Sequence, residues 1–289
     1  LREIITKNSM LQAGSYQTLT VSRISDHGLY LADEEGAEVL LPNRYVSLND
    51  KPGDTKEVFV YHDSEDRLVA TTERPLAAVG QTAYLKVVDK TIHGAFLDWG
   101  LQGKDLFVPN RNQSVPMQAG HSYVVYIYRD NITGRAVASA RLNGFISNEE
   151  LTIRPRQQVT VRIATETPLG YRVVIDDRHW GMLYRNQLFR HVSIGETATA
   201  YVRKIAPDNR VDVSLQQEGF DEVRRSADRL LEIIRNAGGS IPLGDDSPPE
   251  TIAAAIRMSK KVFKRSLGYL LKRGEVETDG TVTRLTKKQ

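Results

Sequence analysis

The 289-residue chain contains no cysteine. That absence removes disulfides, thiolate metal sites and cysteine nucleophiles together, and it fits a reducing compartment. Long hydrophobic runs are missing too: nothing approaches the roughly 20 apolar residues of a membrane span. The opening stretch LREIITKNSM carries charge where a secretory signal would carry an apolar run. A cytoplasmic protein without a membrane partner is expected. No glycine-rich loop has a common phosphate-cradling spacing. The six histidines (His27, His62, His93, His121, His179, His191) are scattered without metal-ligand spacing, and no carboxylate is tied by spacing to a catalytic partner. The chain is therefore expected to be non-catalytic, with no cofactor and no metal.

Charge of a single sign is also lacking, the net charge being +3. Its distribution is uneven. Residues 1–75 hold 8 Lys and Arg against 13 Asp and Glu, whereas residues 221–289 hold 14 against 10. An acidic head and a basic tail point to polyanion contact in the tail.

What the chain does contain is a repeat. SDHGLYLAD, TIHGAFLDW and TPLGYRVVI place Gly28, Gly94 and Gly170 in register, and Gly53, Gly120 and Gly195 form a second register further on. The first set is offset by 66 and 76 residues, too long for a solenoid repeat, so each unit is expected to be a small domain of its own. Within each unit, short apolar or alternating stretches such as TAYLKVV, GAFLDW and SYVVYIYRD are separated by Gly, Pro, Asn and Asp. Several short strands in such a length suit a closed barrel, which removes sheet edges.

Residues 79–100 carry a resemblance. Val79-Gly80, His93-Gly94-Ala95-Phe96 and Leu97-Asp98-Trp99-Gly100 resemble the opening of the S1-type RNA-binding domain, an OB-fold barrel, and YIYRDNITGRAVASA resembles its closing strands. The resemblance implies stacking of single-stranded RNA on outward rings flanked by polar and cationic groups. In the middle unit the matching positions are His93, Phe96, Asp130 and Arg135. In the first they are His27, Tyr30, Asp63 and Arg67, beside an acidic run of Asp33, Glu34, Glu35 and Glu38 that should repel phosphates. In the third they are Leu169, Arg172, Tyr184, Asp208 and Arg210. The third-strand histidine of the family falls on Leu41 and Val108, so only Tyr184 offers a ring there. Trp99 is read as packing. Weak binding is expected of the first unit and modest binding of the other two.

The last seventy residues change character. DEVRRSADRLLEIIRNAGG has Val223, Ala227, Leu230, Leu231 and Ile234 on one helical face and stops at Gly238-Gly239. A second helix is expected after Ser247 as N-cap, with Pro248 at its first position and Glu250 completing a capping box. SKKVFKRSLGYLLKRG reads as a third helix capped by Ser259, and EVETDGTVTRLT as a hairpin turning at Asp279-Gly280. That order is a winged helix-turn-helix. Its third helix buries Val262, Phe263, Leu267, Leu270 and Leu271. It presents Lys260, Lys261, Lys264, Arg265 and Lys272 to a nucleic acid, with Gly268 expected at a close backbone approach.

The chain is thus expected to be multi-domain and mainly β. Three tandem S1-like OB-fold barrels (1–75, 76–146, 152–218), with short linkers, precede a winged helix-turn-helix domain (220–289). This order resembles the bacterial conserved virulence factor B family, which implies an RNA-binding regulator, here expected to be a monomer holding single-stranded RNA. Two alternatives stand beside it: a duplex-DNA-binding transcription regulator reading with the third helix, and a protein adaptor on ribosome or polymerase.

Overall fold

A computed structural model describes residues 11–188, 190–216 and 220–286. The N-terminal LREIITKNSM, part of the 216–220 linker and the last three residues lie outside the described residues. The chain divides into two compact units, residues 1–213 and 214–289.

The first unit contains three five-stranded sheets. β1 (Ser15–Ser25), β2 (Gly28–Ala32), β3 (Glu38–Pro42), β4 (Thr55–His62) and β5 (Leu68–Thr71) close a barrel in the order β1-β2-β3-β5-β4. β11 (Gln158–Thr167), β12 (Gly170–Ile175), β13 (His179–Tyr184), β14 (Thr197–Ile205) and β15 (Val211–Ser214) close another in the corresponding order. Between them, β6 (Thr82–Lys90), β7 (Gly94–Leu101), β8 (Lys104–Pro109), β9 (Ser122–Arg129) and β10 (Ala136–Ser139) form a sheet ordered β10-β9-β6-β7-β8. In this middle barrel the β8 and β10 edges are not hydrogen-bonded, whereas the outer barrels pair Leu40 with Val69 and Leu183 with Val213 at the same seam.

The two glycine registers mark the same joints in each barrel. Gly28, Gly94 and Gly170 start the second strand directly against the third. A Cβ there would lie 2.0, 2.3 and 2.2 Å from the carbonyl oxygens of Leu41, Val108 and Leu183, so only glycine fits. Gly53, Gly120 and Gly195 each donate their N–H to the carbonyl beside a bulge in the first strand, at Val21, Val87 and Ile163. The bulge bends that strand so that it borders both of its neighbours.

Strand alternation fills the interiors. Leu19, Val21, Leu29, Leu31, Val39, Leu41, Val58 and Val60 line the first barrel. The core of the middle barrel runs on into the first, where Trp99 meets Phe59 edge-on at 5.5 Å. Trp99 is 1% exposed and donates its indole N–H to the Ala77 carbonyl at 2.8 Å, so it packs as expected. Leu41 and Val108, where the family's third-strand histidine would fall, are buried core residues.

The second unit comprises α1 (Phe220–Asn236), β16 (Ser240–Ile241), α2 (Pro249–Ile256), α3 (Lys260–Lys272), β17 (Val276–Thr278) and β18 (Thr283–Leu285). Ala227, Leu230, Ile234, Ile252, Phe263, Leu267 and Leu270 form its core. Ser259 caps α3, accepting the Val262 N–H at 3.3 Å. Four expectations are corrected here. Ser247 does not cap α2; the N-cap is Pro248, and the Ser247 hydroxyl accepts the Gly244 N–H instead. The hairpin loop is not Asp279-Gly280 but the four residues 279–282, because Thr278 pairs with Thr283. Leu271 is 37% exposed and does not join the core. Gly268 has open space where a Cβ would go, so the close approach expected there is not made by another helix among the described residues.

Candidate nucleic-acid interface

On the middle barrel, Phe96 lies between the buried Ala95 and Leu97 and therefore faces outward. Its register partner on β8 is Phe107, which lies between the buried Leu106 and Val108. The two rings sit 5.0 Å apart with their planes at 41°. They form the floor of a cleft of about 600 Å³ that also contains His93, Arg111, Asp130 and Arg135. The four positions expected from the resemblance thus converge on one site. Phe107 was missed: the expectation fell one residue along, on Val108, although the apolar-flanked position of Phe107 on an alternating strand marks it as outward. Ile132, which also lines the cleft, is 92% exposed.

The polar groups of this cleft have distinct tasks. Asp130 accepts N–H bonds from Ile132 and Thr133 and the Thr133 hydroxyl, which shape the loop and hold its carboxyl below the usual carboxylate range. Arg111 stands 4.0 Å from the other oxygen of Asp130. Arg135 is not free: its Nε donates to Asp66 of the first barrel at 2.5 Å. Lys104 donates to the Asp63 carbonyl, and burial pushes its ammonium down from the ordinary lysine value. Burial, with Asp98 and Asp89 nearby, pushes Asp105 up.

In the first barrel three of the four expected residues, Tyr30, Asp63 and Arg67, have partners within the barrel. The Arg23 guanidinium lies 3.4 Å over the Tyr30 ring and is held there by Glu38 at 2.8 Å. Arg67 pairs with Asp63 at 2.7 Å, and His27 stands exposed at the turn. The Arg23 and Arg67 charges are thus neutralised by Glu38 and Asp63.

In the third barrel Arg172, Tyr184, Asp208 and Arg210 line one cleft of about 600 Å³, with Leu169 at its edge and Lys204 beside them. Arg210 pairs with Asp208 at 2.7 Å. Trp180, one residue after the buried His179, was given no role by the sequence, yet it faces this cleft with the Arg172 guanidinium 3.6 Å above its ring. The signal was present in the alternation of β13, which turns His179, Gly181 and Leu183 inward and Trp180, Met182 and Tyr184 outward.

The winged-helix unit offers a different surface. α3 carries Lys260, Lys261, Lys264, Arg265 and Lys272 and no carboxylate. All but the half-buried Lys260 are exposed, and none is ion-paired among the described residues. The described residues include no group of three or more His, Asp or Glu able to hold a metal ion. They include no helix long and apolar enough to cross a membrane.

Residues 13–73 and 79–140 match the S1 domain family, and residues 228–285 match the CvfB-like winged helix domain. The chain combines S1 domains with a CvfB-like winged helix domain. That combination is the one expected from the resemblance to conserved virulence factor B. The protein YitL of Bacillus subtilis is 28% identical over 93% of this chain and 92% of its own length. Conserved virulence factor B of Staphylococcus saprophyticus is 21% identical over 95% of each chain, and that of Staphylococcus aureus 22% over 95% and 94%. A crystal structure of a multidomain protein with nucleic acid binding domains from Streptococcus pneumoniae aligns over 94% of this chain and 98% of its own, with 21% identity and a TM-score of 0.40. The second S1 match, residues 79–140, contains Phe96 and Phe107.

Proposed function

We propose that the chain is a non-catalytic regulator that binds single-stranded RNA on the outer faces of its second and third barrels. The CvfB-like domain adds cationic contacts from α3. The observation that carries this reading is the Phe96–Phe107 pair on the floor of a cleft flanked by Arg111 and Arg135. Every nucleobase has a π-face, so paired rings beside cations grip a single strand with little regard to sequence. A duplex keeps its bases stacked and cannot use such a floor. The S1 and CvfB-like matches and the relatives named conserved virulence factor B support a regulatory, nucleic-acid-binding role.

The test is binding of the full chain to a labelled single-stranded RNA and to duplex DNA of matched length, at two salt concentrations. Phe96→Ala and Phe107→Ala should each weaken RNA binding about 5- to 150-fold, the range that follows from about 1–3 kcal/mol per stacked base. Binding indifferent to both substitutions would rule the stacking site out. Preference for duplex DNA, lost on reversing Lys261 and Lys264, would favour the second reading. That reading is supported by the carboxylate-free face of α3.

A further inference from the structure

We infer that the second and third barrels carry one continuous single-strand track, with a base-stacking site at their junction built from Trp180 and Arg172. This rests on the single-stranded RNA reading above and extends it to the side of the third barrel's cleft that opens toward the second barrel.

Three clefts adjoin. The middle-barrel cleft is lined by Arg111 and Val137, and a second cleft of about 670 Å³ begins at Asn112 and Ser139, one residue on in the same helical turn and two along the same strand. The second cleft and that of the third barrel share Arg172 and Trp180. No carboxylate lines the second cleft, whereas two arginines do, Arg141 and Arg172. Arg141 is exposed and without an ion pair among the described residues. The passage between the two ring-bearing faces is therefore cationic, with the neutral side chains of Asn112, Ser114 and Asn143 beside the arginines.

The junction is held in place from several sides. Asp177 of the third barrel accepts the N–H of Thr82 at 2.8 Å and also its hydroxyl. Arg162 donates to the Thr82 hydroxyl and to the Gly195 carbonyl. Tyr84 of β6 lies against Gly195 so closely that a Cβ there would be 2.1 Å from its ring. The Asn148 side chain grips both the N–H and the carbonyl of Trp180, at 2.7 and 2.9 Å.

On this frame Trp180 packs onto the apolar cluster of Val124, Leu142, Ile146, Ala164 and Val174. The Arg172 guanidinium covers its ring and is fixed by donating to the Asn143 side chain at 3.1 Å. Indole and guanidinium form a two-layer column, and a guanidinium plane is a stacking surface for an unpaired base. A base added to the column stacks on Arg172, and Arg141 of the same cleft is there to take a flanking phosphate. A planar column in a cationic cleft suits a nucleobase better than an acidic peptide, which would need the charge but not the plane.

The test uses the full chain and oligouridylates from about 4 to about 20 nucleotides, lengths bracketing the site sizes of OB-folds. Wild-type affinity should climb with length. Arg172→Ala and Arg172→Lys should flatten that climb alike, costing about 5-fold or more on the longest oligonucleotide and less on the shortest, which the Phe96–Phe107 pair still holds. Arg141→Ala, at an exposed position, should lower the salt slope by about one counterion. Trp180 is one of only two tryptophans, and Trp99 is buried. Saturation with long oligouridylate should therefore change the indole fluorescence, and Trp180→Phe should abolish the change. If Arg172→Lys binds the longest RNA like wild type and Trp180 emission stays constant while Phe96→Ala still weakens binding, the track is wrong and the barrel-face reading stands. If no oligouridylate binds at all, both fall. Quenching of Trp180 by an acidic peptide but not by RNA would reassign the junction to a protein.

Discussion

Asp66 holds Arg135 in an ion pair between two barrels. It belongs to the acidic first unit, yet its carboxylate accepts from the arginine that the resemblance assigns to RNA on the second barrel. Both side chains are about half exposed, so the pair is a weak surface bridge and readily exchanged. Asp66→Ala should raise affinity for single-stranded RNA several-fold at low salt and steepen its salt dependence, as Arg135 becomes available for a phosphate. A drop in affinity would mean that Asp66 instead orients Arg135 for binding. This pairing could not be read from the sequence, where the two residues lie in different repeats and only the packing of barrels brings them together. Phe96 was legible through the resemblance of His93-Gly94-Ala95-Phe96 to the S1 pattern, since alternation by itself permits either face. Phe107 was lost to a one-residue slip: its pairing with Phe96 puts Val108 opposite Ala95, inside the barrel.

Elements were legible where a single local rule governs them and less so where two compete. Ser259 caps α3 because nothing else claims its hydroxyl, whereas the Ser247 hydroxyl is taken by Gly244 and the expected cap fails. The hairpin of the CvfB-like domain shows the same competition. Asp279 accepts the N–H groups of Val282 and Thr281 and the Thr281 hydroxyl, so a side-chain-bonded loop of four residues replaces a two-residue turn. Those bonds hold its carboxyl down from 3.8 to about 2. A carboxylate with a depressed folded-state pKa contributes stability above its unfolded value and loses it as pH falls through the folded one. The hairpin should therefore lose stability between about pH 4 and about pH 2. Asp279→Ala should remove that part of the acid sensitivity while lowering stability near neutrality. Thermal melts of the two proteins across this range would test it, and parallel pH profiles would refute it.

At the scale of the whole molecule, the repeat of glycines was enough to divide the first three quarters into barrels, since each marks a joint where two backbones touch. The change of periodicity after residue 220 was enough to read the helical unit. The way the barrels share surfaces was not readable: Phe59 against Trp99 and Asp177 against Thr82 join residues that no spacing relates. Nor was it readable that the middle barrel alone stays unlaced between β8 and β10. Ala136 and Val137, on one side of that seam, line the same cleft as Phe107 on the other. The wall that lines the Phe96–Phe107 cleft is thus the one without strand pairing across its seam. In deuterated solvent, amides of residues 104–109 and 136–139 should exchange sooner than their counterparts at 38–42 and 68–71. A strand lying across the gap should slow them, so the free protein would flex along the same line on which the bound one is held shut.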